Sequence, residues 1–206
     1  HFGLASTLGV HHSETAELIS DYFSTYPAIE QYMENVVEQA KRYSMYSIDG
    51  LLSVAPFYNK PTQRGMVAHF SAIADASSKP VILYNVPSRT VSDILPETVA
   101  VLAKHSNIVG IKEATGDLSR VAAIRSSCGS DFVLLSGDDG TSCDFMLQGG
   151  DGIISVTGNV FPAEMVALCE KSLSNMADSA KKLDQRLTSV HETLFLEPNP
   201  CPAKRY

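Results

Sequence analysis

Asn107-Ile108-Val109-Gly110-Ile111-Lys112-Glu113-Ala114-Thr115 is an apolar run that ends abruptly in a lysine and a glutamate. Its Ile and Val residues do not alternate with polar ones, which is the texture of a strand buried on both faces. The same texture recurs at Gly50–Ala55, Pro80–Val86, Phe132–Gly137 and Gly152–Thr157. Between these runs lie stretches of helical periodicity, at 62–77, 95–104, 118–127, 140–149 and 161–172. Successive runs begin 20 to 30 residues apart, the spacing of a strand followed by a crossover helix. Five such units in succession predict an α/β fold on a parallel sheet.

The polar residues choose between a doubly wound sheet and a barrel. Tyr58 lies just past the first run, Tyr84-Asn85 and Lys112-Glu113 end the second and third, and Ser136–Asp138 and Ser155–Thr157 end the last two. Polar groups at the C-terminal ends of many different strands belong to a barrel mouth. A doubly wound sheet gathers its site at one switch point instead. Neither GxGxxG nor GxxxxGK[ST] is present, so no nucleotide fingerprint supports the alternative. The expected architecture is a (β/α)₈ TIM barrel.

The flanks extend this reading. Segments at 13–23 and 29–43 have helical character, with Ser13 and Glu14 at the first N-terminus, and Tyr26–Ile29 reads as a short strand. After 174 an amphipathic helix runs to near Phe195, where the Pro-rich stretch Glu197–Pro202 breaks it. This divides the chain into a partial barrel domain at 1–173 and the start of a C-terminal helical region at 174–206. Five or six strands are counted where a closed barrel needs eight. The chain therefore reads as a barrel lacking its first strands and most of its helical domain.

Composition narrows the function classes. Of 206 residues 44% are hydrophobic and 19% charged, ordinary for a globular protein, and the net charge is −7. The basic residues are scattered, which argues against a nucleic-acid partner, since phosphate contacts need a basic patch. No apolar run approaches the roughly 18 residues that span a bilayer, and no signal-peptide pattern is found. Cys128, Cys143, Cys169 and Cys201 form no CxxC pair and read as reduced, mostly buried filler in a cytoplasmic protein. His11-His12 with Glu14 lacks metal-ligand spacing and reads as a polar helix start. Asp138-Asp139 reads as loop and helix-cap residues. No metal or cofactor is expected.

Three residues carry candidate chemistry. A lysine on a buried strand is costly to keep charged, so the Lys112 pKa is expected to fall. A neutral amine in an apolar pocket is what imine formation with a ketone requires. Tyr84 ends the preceding strand and faces the same mouth, where a phenol can pass protons to and from a carbinolamine. Arg89, five residues on, offers a planar fork for a substrate carboxylate.

The strings APFYNKP (55–61), ILYNVPSRT (82–90), GIKEATGDLSR (110–120), FVLLSGDD (132–139), GIISVTGNV (152–160) and FLEPNP (195–200) resemble, in order and interval, the dihydrodipicolinate synthases among the pyruvate-dependent class I aldolases. The resemblance covers about 48–202. It implies a barrel followed by a small helical domain, with Lys112 forming an imine with pyruvate. The enamine would attack aspartate 4-semialdehyde, and cyclisation would give 4-hydroxy-tetrahydrodipicolinate, an intermediate of lysine and diaminopimelate biosynthesis. Tyr84 matches the proton-relay tyrosine and Arg89 the arginine that holds the semialdehyde carboxylate. Tyr58 matches a catalytic tyrosine lent across a dimer interface, implying a homo-oligomer. Gly137 and Ile154 match substrate-binding positions lining the pyruvate pocket, largely through backbone. Pro87-Ser88-Arg89-Thr90 favours the synthases over sister aldolases of the N-acetylneuraminate lyase type, which are the alternative, together with an inactive paralogue that keeps only the dimer surface.

The sequence also departs from the pattern. The family carries a Thr-Thr-Gly-Glu segment whose threonines bind the pyruvate carboxylate, and the positions matching the threonines are His1 and Phe2. Neither supplies a hydroxyl. Phe57 stands where a tyrosine is common, in a region associated with feedback inhibition by lysine.

Overall fold

The computed structural model describes residues 49–205. The expected helices at 13–23 and 29–43, the strand at Tyr26–Ile29 and the readings of His1, Phe2, His11 and His12 lie outside the described residues. Five strands follow: β1 (Leu51–Val54), β2 (Val81–Asn85), β3 (Ile108–Glu113), β4 (Val133–Ser136) and β5 (Gly152–Ile153). The helices are α1 (Gln63–Ala76), α2 (Pro87–Thr90), α3 (Pro96–Leu102), α4 (Ser119–Cys128), α5 (Ser142–Leu147), α6 (Pro162–Leu173) and α7 (Ala177–Leu194). The strands pair in chain order, β1-β2-β3-β4-β5, and every pair is parallel. A doubly wound sheet would reverse direction at a switch point; this unbroken order is that of a (β/α)₈ barrel wall.

The core lies between the sheet and the helices. Val81 and Leu83 of β2, Ile111 of β3 and Leu134 of β4 are fully buried against Met66 and Phe70 of α1, Val99 and Leu102 of α3, and Val121 and Ile124 of α4. Met66, Phe70 and Ala74 recur every four residues, which sets one face of α1 onto the sheet. The Thr62 hydroxyl caps that helix, accepting from the Gly65 N–H at 3.2 Å. A second cluster of Cys143, Met165, Leu168, Ala180 and Leu187 joins α5, α6 and α7.

Strand alternation places the site. Val81, Leu83 and Asn85 are buried on the helix side, so Ile82 and Tyr84 point to the opposite, inner face. In the β2–β3 register Tyr84 lies beside Lys112 and Asn85 beside Glu113. The two strand ends thus present one pair inward and one pair toward the helices.

Several boundaries differ from the expected ones. β5 ends at Ile153 instead of reaching Thr157. The Val156 and Thr157 N–H groups donate to the Asp139 carboxylate at 2.9 and 3.3 Å, and the chain turns into a 3₁₀ segment at Thr157–Asn159. The four-residue α2, started by Pro87, is too short to show a periodicity and is absent from the expected helices. The predicted helix at 140–149 is a 3₁₀ turn at Asp139–Thr141 followed by α5. α7 closely follows the expected amphipathic helix after 174. Of the cysteines only Cys143 is buried; Cys128 and Cys169 are half-buried and Cys201 is exposed, so the buried-filler reading holds for one of four. Among the described residues no helix is long and apolar enough to cross a membrane.

Gly110 is required by the β3–β4 approach. A Cβ there would fall 2.4 Å from the Val133 carbonyl oxygen and 2.7 Å from Val133 Cβ, so backbone would have to move. Gly110→Ala is expected to lower unfolding stability by about 1–3 kcal/mol, read as a shift in urea midpoint at unchanged slope.

Candidate active site

The Lys112 side chain projects from the C-terminal part of β3 onto the inner face, and its Nζ lies 4.3 Å from the centroid of the Tyr84 ring. Register enforces this proximity, because the two residues are direct partners across the β2–β3 ladder. Gly137, just past β4, makes room for the lysine stem. A Cβ at Gly137 would meet Lys112 Cε at 2.8 Å and Ala114 Cβ at 2.6 Å. Arg89 sits on α2, which begins two residues after β2 ends. Tyr84, Arg89, Lys112, Gly137, Asp138 and Val156 line a common cavity of about 430 Å³. Phe195 and Asn199, from the stretch after α7, complete its wall.

Electrostatics favour a neutral amine. Burial lowers the Lys112 pKa from the ordinary lysine range; the Asp139 carboxylate opposes that shift and the Arg89 guanidinium adds to it. Among the described residues Lys112 has no ion-pair partner, so only the tyrosine face and the more distant Asp139 charge favour its ammonium form. Burial raises the Tyr84 pKa, offset in part by Arg89, which keeps the phenol protonated and able to donate. A protonated phenol against a deprotonation-prone amine is a pair whose environments suit proton transfer.

Asp138 and Asp139 have different jobs. Asp138 caps the 3₁₀ turn, accepting from the Thr141 N–H at 3.1 Å and its hydroxyl at 2.7 Å. Asp139 was expected to be a loop or cap residue too, but it is buried. It binds the Ser155 hydroxyl and the Val156 and Thr157 N–H groups, and so holds the loop after β5 against the cavity. Neither the run of two aspartates nor its loop position distinguishes the buried one; only the fold does.

On the helix side of the same strand ends lies a second polar group. Asn85 and Glu113, 0% and 3% exposed, are linked through the Asn85 amide, which also donates to Asp93 at 2.8 Å. Arg120 donates from Nε to Glu113 and from a terminal nitrogen to Asp93, both at 3.1 Å. Burial pushes the Glu113 carboxyl above its usual range, while Arg120, Asn85 and Thr115 pull it back. The sequence marks Asn85 and Glu113 as strand-end polar residues but does not pair them with Arg120, which lies seven residues past Glu113 in the first turn of α4.

The sequence-derived candidates therefore divide. Tyr84, Arg89, Lys112 and Gly137 share one cavity. Tyr58 does not line it; this residue is 92% exposed with φ near +58°, on the loop after β1. Ile154 does not line it either and is 38% exposed, although its N–H donates to the Ser136 carbonyl at 2.9 Å at the end of the β4–β5 ladder.

Comparison with known proteins gives a consistent result. Residues 32–206 match the model of the dihydrodipicolinate synthetase family. A 4-hydroxy-tetrahydrodipicolinate synthase from Psychromonas ingrahamii is 57% identical over 165 residues, which cover 80% of this chain and 56% of that protein. Among solved structures, a dihydrodipicolinate synthase from Acinetobacter baumannii in complex with pyruvate is 43% identical with a TM-score of 0.78, covering 82% of this chain and 58% of its own. The dihydrodipicolinate synthase of Thermotoga maritima is 37% identical with a TM-score of 0.77, covering 83% and 59%. The chain thus spans a little over half the length of the relatives it matches.

The charges around Lys112 make a two-way test. Competitive labelling of its amine should titrate below a free lysine side chain. Arg89→Gln removes a like charge and should move that midpoint up; Asp139→Asn removes an opposite charge and should move it down. Peptide mass spectrometry of the labelled chain across pH reads both.

Proposed function

The chain belongs to the dihydrodipicolinate synthetase family, and from that premise we propose that it takes part in condensing pyruvate with aspartate 4-semialdehyde through an imine on Lys112. The observation that carries this reading is the Lys112 amine set over the Tyr84 phenol in a cavity shared with Arg89.

In this reading the neutral Lys112 amine attacks the ketone carbon of pyruvate and gives a carbinolamine. Tyr84 donates the proton that lets hydroxide leave as water, and an imine remains. Loss of a proton from the adjacent methyl gives an enamine, whose carbon bonds to the aldehyde carbon of the second substrate. The amino group of that substrate then attacks the imine carbon, closes the ring and releases Lys112, giving 4-hydroxy-tetrahydrodipicolinate. Arg89, exposed on α2 at the cavity wall, pairs with the semialdehyde carboxylate. Gly137 leaves space for the lysine stem beside the pyruvate position; Ile154, outside the cavity lining, enters the proposal through the family resemblance alone.

Tyr58 has a different role. Its exposure and its distance from the lining of the cavity suit a residue offered to the site of a second copy, which makes a homo-oligomer part of the proposal. The scattered basic residues and the absence, among the described residues, of a membrane-crossing helix suit a cytoplasmic enzyme without nucleic-acid partners. Residues from 174 onward are read as the start of the helical region that follows the barrel.

Incubation with pyruvate and borohydride, followed by peptide mass spectrometry, tests the central step. A reduced adduct is expected on Lys112 and none in Lys112→Ala; an unlabelled Lys112 in the folded wild-type chain would sink the proposal. Tyr84→Phe should slow adduct formation by about 10²-fold or more while leaving it on the same residue. In an assay of the full condensation, Arg89→Gln should raise the KM for the aldehyde far more than that for pyruvate.

A further inference from the structure

The chemistry above makes no use of the polar cluster on the helix side of β2 and β3. The Glu113 carboxylate and the Arg120 guanidinium there are almost completely removed from water, while the Asp93 side chain that shares them is 37% exposed. Burying charges is costly, and an apolar set of similar volume often serves stability as well or better. One step earlier on the same strands, Leu83 and Ile111 join β2 to β3 with hydrocarbon alone. The location of the charged cluster therefore calls for an explanation beyond strand cohesion.

That location is one residue past the reacting pair. Asn85 follows Tyr84 and Glu113 follows Lys112, and the two are register partners joined by the Asn85 amide at 3.2 and 3.3 Å. The Arg120 fork reaches three groups: Glu113, Asp93 and the Ile94 carbonyl. The Ile94 N–H in turn donates to the Asn85 side-chain carbonyl at 3.0 Å. Asp93 and Ile94 lie on the segment leaving α2, the helix that carries Arg89, and the Thr90 hydroxyl ties the end of α2 to the Ser92 carbonyl at 2.9 Å. Tyr84, Lys112 and Arg89 are each anchored to one hydrogen-bonded unit.

We propose that Asn85, Asp93, Glu113 and Arg120 are positioning residues, a single network that sets Lys112, Tyr84 and Arg89 in register for imine formation. The proposal rests on the reading of Lys112 as the imine-forming residue. The network acts through geometry: a rigid planar guanidinium that spans three acceptors fixes distances that a flexible ammonium would not.

The test measures the rate constant for the borohydride-trapped pyruvate adduct at saturating pyruvate, together with half-saturation and the pH midpoint of trapping. Two variants are compared with the wild type: Arg120→Lys, which keeps the charge and loses the fork, and Glu113→Gln, which keeps the shape and loses the charge. Each is expected to lower the rate constant by about tenfold or more, as small misplacements of reacting groups do, with half-saturation and pH midpoint within about twofold and about 0.3 pH unit of wild type. A folded variant that traps at the wild-type rate overturns the proposal, as does a slower rate fully explained by a shifted pH midpoint. If Arg120→Lys does not fold, Glu113→Gln decides alone; if neither folds, the cluster is structural and the proposal fails. A wild-type chain that forms no adduct removes the imine reading and this inference with it, whereas a labelled wild type with unaffected variants removes only the inference.

Discussion

The parallel register between β2 and β3 is the constraint on which the rest of the site depends. It sets Tyr84 beside Lys112 and, one residue later, Asn85 beside Glu113. Because side chains alternate across a strand, the first pair goes to the inner face and the second to the helices. A slip of one residue would send the lysine into the hydrocarbon layer between sheet and helices and bring the glutamate into the cavity. The apolar residues earlier in each strand prevent that slip. Val81 and Leu83 on β2 and Ile111 on β3 are fully buried against α1, α3 and α4, and only one register buries all of them.

The same geometry accounts for the character of the lysine. Its stem lies across Gly137, where a side chain would collide with it, so the half-buried lysine holds its amine over the phenol ring. Burial is the largest influence on its pKa, and the two nearby charges, Asp139 and Arg89, act in opposite directions. The amine is thus biased toward its nucleophilic form by a packing requirement. Asp139 is itself held by three donors from the loop after β5, which links the shape of that loop to the electrostatics of the lysine.

Much of this was legible in the sequence. Apolar runs at βα spacing reported the strands, and polar residues at the run ends reported the barrel mouth, because burial on both faces and a shared rim leave marks that are local in the chain. Lys112 and Tyr84 were legible for the same reason: each ends its own run. β5 was misjudged beyond Ile153, since an apolar run carries no mark of a backbone turned aside by the Asp139 carboxylate of another segment. Phe195 and Asn199 entered only through the FLEPNP resemblance, and their place on the cavity wall depends on how the stretch after α7 returns to the sheet.

The sequence by itself determined the strand order, the sheet class, the family and the residue types available for chemistry, because periodicity and motif are properties of neighbours along the chain. Tertiary structure alone decided that Asp138 caps a turn while Asp139 is buried, that Gly137 serves the lysine stem, and that Arg120 joins Glu113 to Asp93. The burial of Asp139, the Gly137–Lys112 contact and the Arg120–Asp93 pair depend on distances between segments well separated in the chain. They are set by how the strands register and how the helices pack upon them, and no local pattern records them.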